Sequence, residues 1–226
     1  IPVSNGIELS DYEQQESEVI EKDPGEMRIF FAGRLALEKN IDVLIEALSK
    51  LPSRLGHVVL EIAGTGEHLE TLQKKAAECG VESRVRFLGF VSDEELREGY
   101  LRANVFCQPG TAELQSLVTL EAMSASRPVV LANALALPHL VEEGVNGYLF
   151  EPGNSSDLAE KLALILELPK PERKAMGAMS HEMAQKHAAK KTWDTFESLY
   201  TSSKIYYDFV TQQRQSSEGE NLGSVV

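Results

Sequence analysis

Two rhythms of apolar and polar positions alternate along this chain. Short, continuously apolar runs recur at 27–33 (MRIFFAG), 57–64 (HVVLEIAG), 85–90 (VRFLGF), 105–110 (VFCQPG), 128–133 (PVVLAN) and 147–152 (GYLFEP). Between them, apolar residues fall at helical spacing over 40–51, 67–80, 92–103, a segment beginning near Ser116, a short one at 138–144, and 155–168. Strands that are apolar throughout are buried on both faces, and their alternation with helices predicts a parallel sheet covered on both sides. The expected fold class is α/β, a Rossmann-like doubly wound sheet. Ligands of such a sheet lie beyond the carboxyl ends of the strands. The loops after Phe31, Ala63, Phe87, Phe106 and Val130 therefore share one rim.

The pattern changes after about residue 170. Two extra C-terminal helices are predicted, and the second carries Trp193, Phe196, Tyr200, Tyr206, Tyr207 and Phe209. That is more aromatic surface than a lone sheet needs, so it either packs on its own domain or meets a partner domain. Residues 212–226 are polar and are expected to be disordered. At the other end, IPVSNGIELSDY reads like the interior of a longer protein. The division expected is 1–26 as interdomain linker and lead-in, 27–190 as a Rossmann-like domain, 191–211 as an aromatic helix and 212–226 as tail.

Charge narrows the function classes. The 226 residues carry a formal net charge of −13, with acidic side chains spread along the chain. This argues against nucleic acid and against docking on anionic lipid as partners. Cys79 and Cys107 read as buried thiols, no Cys/His cluster has metal-ligand spacing, and no run is long enough to span a bilayer. The expectation is a cytoplasmic protein needing no metal or cofactor.

Against that acidic background a local pair of cations stands out. In the loop AGRLALEKNID, Gly33 permits a turn, and Arg34 and Lys39 precede a helix N-terminus. Backbone amides, a helix dipole, a planar guanidinium and a flexible ammonium together suit a diphosphate. The G-x-G at 64–66 lacks the third glycine of a dinucleotide fingerprint and reads as a tight turn. Glu113 lies in the loop after the fourth apolar run, and Glu121 sits eight positions later on the following helix. The first amides of that helix can receive an anion, while each carboxylate can accept two hydroxyl hydrogens, as from a sugar diol. Taken alone, either glutamate reads as a solvated surface residue; the pair matters because of its place on the rim.

These same stretches resemble a known family. GRLALEKNIDVLIEAL, IAGTGEHLETLQKKAAECGVESRVRFLGFVSDEEL and PGTAELQSLVTLEAMSASRPVVLANALALPHLVEEGVNGYLFEPGN look like the C-terminal half of a family 4 (group 1) glycosyltransferase. The resemblance covers roughly residues 1–200 and includes the family's E-x7-E element. It implies a GT-B enzyme, built from two Rossmann-like domains across a cleft, of which this is the donor half. Arg34 and Lys39 match the pair holding the donor diphosphate. Glu113 matches the glutamate contacting the transferred sugar, and Glu121 the one holding the ribose. Gly33, Ser116 and the amides of Leu117 and Val118 fall around the phosphates, and Phe90 and Val91 where the base is held. The sequence departs from the family where Ser116 and Ser126 replace common glycines and His139 replaces a frequent acid.

The resemblance thus implies a retaining, metal-independent hexosyltransferase using a GDP-mannose or UDP-glucose type donor. The acceptor-binding N-terminal domain would be missing, leaving the fragment inactive alone, and the full-length parent could be membrane-peripheral. A non-catalytic nucleotide-sugar-binding module and a sugar-nucleotide epimerase on the same scaffold remain alternatives.

Overall fold

Residues 26–222 are described in a computed structural model, with side chains described through Ile205 and at Tyr207. All of the expected lead-in except Glu26 lies outside the described residues. Six parallel strands form one sheet in the order β3-β2-β1-β4-β5-β6. They are β1 (Arg28–Ala32), β2 (Val59–Ala63), β3 (Val85–Gly89), β4 (Val105–Gln108), β5 (Val129–Ala132) and β6 (Gly147–Phe150). Each lies within an apolar run named above. The four strands β1, β2, β4 and β5 are buried along their whole length, as strands covered on both faces must be.

Helices fill the connections. They are α1 (Ile41–Lys50), α2 (Leu69–Glu78), α3 (Asp93–Arg102), α4 (Leu117–Ser124), α5 (Ser155–Leu166), α6 (Lys170–Ala184) and α7 (Ala189–Leu222). The helix α1 packs against α2 and α5, and α4 packs against α3 and α6, which makes the two covering layers. Local chemistry sets several starts. Ser92 and Glu95 form a reciprocal capping box on α3, and Asn154 accepts from the amides of Ser156 and Asp157 to cap α5. The segment expected as a short helix at 138–144 is instead one 3-10 turn, Leu137–Leu140, with Pro138 at its start and His139 exposed.

Two details concern positions noted in the sequence. Ser126, where a glycine is common, has a φ of 57° in the tight link between α4 and β5. That left-handed geometry is what glycine supplies without steric cost. Cys107 is fully buried, which pushes its thiol above the usual range, whereas Cys79 at the end of α2 is only half-buried. At the C-terminus, the helical backbone of α7 runs on past residue 211 to Leu222, through the polar stretch whose composition suggested disorder. Trp193, Phe196, Tyr200, Ile205 and Tyr207 are exposed along it.

Candidate functional site

The expected ligand rim is built from loops stitched to one another. Beyond the end of β1, Gly33 donates its amide to Ala63 at 3.0 Å, Leu35 donates to Thr65 at 2.9 Å, and His68 donates to Leu35 at 3.1 Å. The loops after β1 and β2 thus stay paired outside the sheet. Glycine makes this possible: a Cβ on Gly64 would come 1.9 Å from the Gly33 carbonyl oxygen, and one on Gly66 would come 2.3 Å from that of Leu35. The G-x-G read as a tight turn is also the notch that seats the loop carrying Arg34.

The loop after β1 then meets the loop after β4. Leu37–Lys39 form a 3-10 turn, and Asn40 follows with a φ of 49°, a left-handed conformation that asparagine tolerates. Its side-chain Nδ2 donates to the Pro109 carbonyl at 3.3 Å and the Thr111 hydroxyl at 3.2 Å. The Thr111 amide returns a bond to the Glu38 carbonyl at 3.3 Å. Across this staple the Lys39 ammonium donates to Glu113 Oε1. Glu113 is 9% exposed, and its carbonyl also accepts from the Ala136 amide at 3.2 Å, which ties in the loop after β5. Below them Gln108 is fully buried; its Oε1 accepts from the Gly110 amide at 3.3 Å, and its Nε2 has no hydrogen-bond partner among the described residues.

The two expected cations differ in setting. Lys39 is held in the floor by Glu113. Arg34, with a side chain 65% exposed, pairs with Glu38 four residues on. Neither is bare, and the second carboxylate, Glu38, was not among the residues expected from sequence.

The helix α4 presents its first amides to the same rim. Ser116 is its N-cap, but the hydroxyl bonds Thr119 Oγ1 at 2.8 Å, and no side chain caps the helix amides. The N–H groups of Leu117 and Val118 therefore lack that internal partner. Glu121 lies on the second turn, half-buried, and accepts a hydrogen bond from the Tyr100 hydroxyl at 2.7 Å. Burial raises the Glu121 carboxyl above its ordinary pKa; the Tyr100 bond pulls it down, and the charge of Asp93 adds to the rise. Beyond β3, Gly89 turns the chain with a φ of 70°, Phe90 projects with 87% of its surface exposed, and Val91 packs on the core.

The ten expected residues thus sit on or beside three loops and one helix N-terminus at one end of the sheet. The structure adds Glu38, Asn40 and Tyr100. Asn40 had a signal, an asparagine between a turn and an apolar-periodic helix. Tyr100 had a weaker one, the sole aromatic side chain in a highly charged helix. Among the described residues, no group of three His, Cys, Asp or Glu side chains could hold a metal ion, and no helix is long and apolar enough to cross a membrane.

Comparison with known proteins identifies the family. Residues 13–183 match the family described as Glycosyl transferases group 1, and the chain belongs to it. It is 31% identical to the sulfoquinovosyl transferase SQD2 of Arabidopsis thaliana, over 73% of this chain and 31% of that protein. It is 32% identical to the GDP-mannose-dependent alpha-(1-6)-phosphatidylinositol monomannoside mannosyltransferase of Mycobacterium tuberculosis, over 72% of this chain and 43% of the relative. The chain thus spans less than half the length of these relatives. The fold is similar to that of Anabaena Alr3699/HepE solved in complex with UDP, with a TM-score of 0.81 and 25% identity, covering 88% of this chain and 57% of that one.

Proposed function

We propose that this chain is the donor-binding half of a retaining, metal-independent hexosyltransferase acting on a nucleoside-diphosphate sugar. The observation that carries the reading is the Lys39–Glu113 contact, which joins a cation and a carboxylate from loops far apart in sequence at the ligand end of the sheet. A donor offers the complementary groups, an anionic diphosphate beside a sugar rich in hydroxyls. On binding, the ammonium of Lys39 turns to the diphosphate and Glu113 accepts from the sugar hydroxyls. Arg34 swings from Glu38 to the same phosphates, helped by the amides of Leu117 and Val118. Glu121 takes the ribose hydroxyls, and Phe90 and Val91 offer a face to the base. Similarity to HepE, solved with UDP and with UDP-glucose, and to a GDP-mannose-dependent enzyme supports a donor of one of those two types.

In the reaction the bond between the anomeric carbon and the diphosphate oxygen breaks. The acceptor hydroxyl forms the new bond on the same face and gives its proton to the departing phosphate. Negative charge grows on the diphosphate, where preorganised cations and helix amides stabilise it. The acceptor is recognised by an N-terminal domain beyond this chain, in a cytoplasmic enzyme whose full-length form works at a membrane surface. The isolated chain accordingly binds donor and does not transfer sugar.

Calorimetry and thermal melting with UDP, GDP, ADP and their common sugar conjugates test this. One nucleoside diphosphate should raise the melting temperature, because it binds only the folded state. Lys39→Ala should weaken that effect. Failure of all of them to bind at millimolar concentration, or tight binding unaffected by Lys39→Ala, would overturn the reading.

A further inference from the structure

Tyr100 sits where a hydrophobic core touches the proposed site. The residue is fully buried on α3, and its ring packs edge-on to Phe30 of β1, with centroids 5.2 Å apart at 84°, and tilted against Phe106 of β4 at 5.8 Å. The neighbouring Gly99 brings the helix down on the sheet: a Cβ there would lie 2.5 Å from the ring of Phe30. Two aromatic rings thereby fix the height and direction of one phenol. Its hydroxyl donates to Glu121 Oε2, on the adjoining helix, at 2.7 Å.

A carboxylate on a free rotamer accepts from a diol poorly, because its orientation must be frozen on binding. One anchored through a single oxygen arrives already oriented. We infer that Tyr100 is a positioning residue of the donor site: its hydroxyl holds Oε2 of Glu121 and leaves Oε1 for the vicinal hydroxyls of the ribose, so that the chain selects ribo- over 2′-deoxyribonucleoside diphosphates. This rests on the reading of Glu121 as the ribose ligand. The Tyr100 bond also favours the charged carboxylate that a diol needs, against the burial and the Asp93 charge on α3 that favour the neutral acid.

Calorimetry of wild type, Tyr100→Phe and Glu121→Gln with UDP and GDP, each beside its 2′-deoxy form, tests the inference. Wild type should prefer the ribo form by about 10-fold or more, the worth of a hydrogen bond to a charged group. Tyr100→Phe keeps the ring and should still bind the diphosphate, with that preference cut to about 3-fold or less and the Glu121 carboxyl titrating at higher pH in 13C NMR. A merely structural tyrosine would leave the ribo-to-deoxy ratio and the Glu121 titration unchanged, and that result overturns the inference. If Glu121→Gln also leaves the ratio unchanged, the ribose role of Glu121 is wrong and the inference falls with it. No nucleotide binding by wild type overturns the donor reading itself. Should Tyr100→Phe fail to fold, wild type still decides: the Tyr100 Cζ resonance must follow the Glu121 titration and respond to UDP, and its silence in both sinks the inference.

Discussion

The two ends of the sheet use charge in opposite ways. At the amino ends of β1 and β3, Arg28, Arg86 and Arg102 face Glu26, Glu61 and Glu98. Glu61 lies 3.4 Å from Arg28, 3.2 Å from Arg86 and 3.7 Å from Arg102, while Glu26 bonds Arg28 at 2.5 Å and Arg86 at 2.6 Å. Arg28 and Glu61 are buried, and each charge is neutralised by groups of the fold itself. At the carboxyl ends the charges stand in separate pairs and form no shared network. Lys39 and Glu113 have one charged contact with each other, and the Arg34–Glu38 pair is exposed. Charges that share several partners in this way are committed to holding the fold. On the proposed donor reading, such separate pairs are placeholders that a diphosphate and a diol take apart.

Substitutions should separate the two ends, beginning with the largest effect. Glu61→Ala removes the buried carboxylate that Arg28, Arg86 and Arg102 share, with Glu26 still on Arg28, and should cost about 3 kcal/mol of stability in urea unfolding, the low end for breaking a buried pair from one side. Lys39→Ala leaves the nearly buried Glu113 without its cation and should cost the fold about 1–2 kcal/mol, less than Glu61→Ala, yet weaken nucleoside diphosphate binding by about 10- to 100-fold, as loss of a charge-assisted bond does. Equal effects of the two on stability would erase the contrast.

Acid should part the ends as well. The Arg86 hydrogen bond, with help from Arg28, holds Glu26 below the ordinary carboxylate pKa. Its contribution to stability is therefore complete above the unfolded value and lost only as pH falls through the lower folded one. Glu121 is shifted the other way. Its folded pKa is raised, so keeping it charged costs stability at neutral pH, and that cost is relieved as pH falls through the raised value. On acidification from neutral pH, donor binding should decline first, while the protein is still folded. Calorimetry and circular dichroism over one pH series check the order. The smallest effect is at Ser126, on the amino-end side. Ser126→Gly should add about 0.5–1 kcal/mol in the same urea assay by relieving the left-handed φ, without changing nucleotide affinity.

The sheet was legible because each strand is a short, mainly apolar run set between stretches of helical spacing. Glutamate inside the second run, Glu61, was a contradiction that only the sheet register resolves, by setting Arg86 beside it. The site was legible as separate loops and not as contacts. Lys39 and Glu113 are 74 residues apart, and nothing local says that they meet. The Asn40 staple depends on a left-handed residue bonding across to another loop, and Tyr100 reads as core until its hydroxyl is placed against Glu121. The helical course of α7 beyond residue 211 runs through a composition poor in apolar residues, so no hydrophobic period marks it.

Trp193 is the only tryptophan in the chain, and it lies 71% exposed on α7, away from the sheet. Intrinsic tryptophan emission therefore reports on that helix. Its wavelength is already that of a wetted indole in the native state, so a fluorescence melt would register little when the core comes apart. The fully buried Tyr100, wedged between β1, β4 and the carboxylate of Glu121, is placed to report on both the core and the site through its own ring resonances.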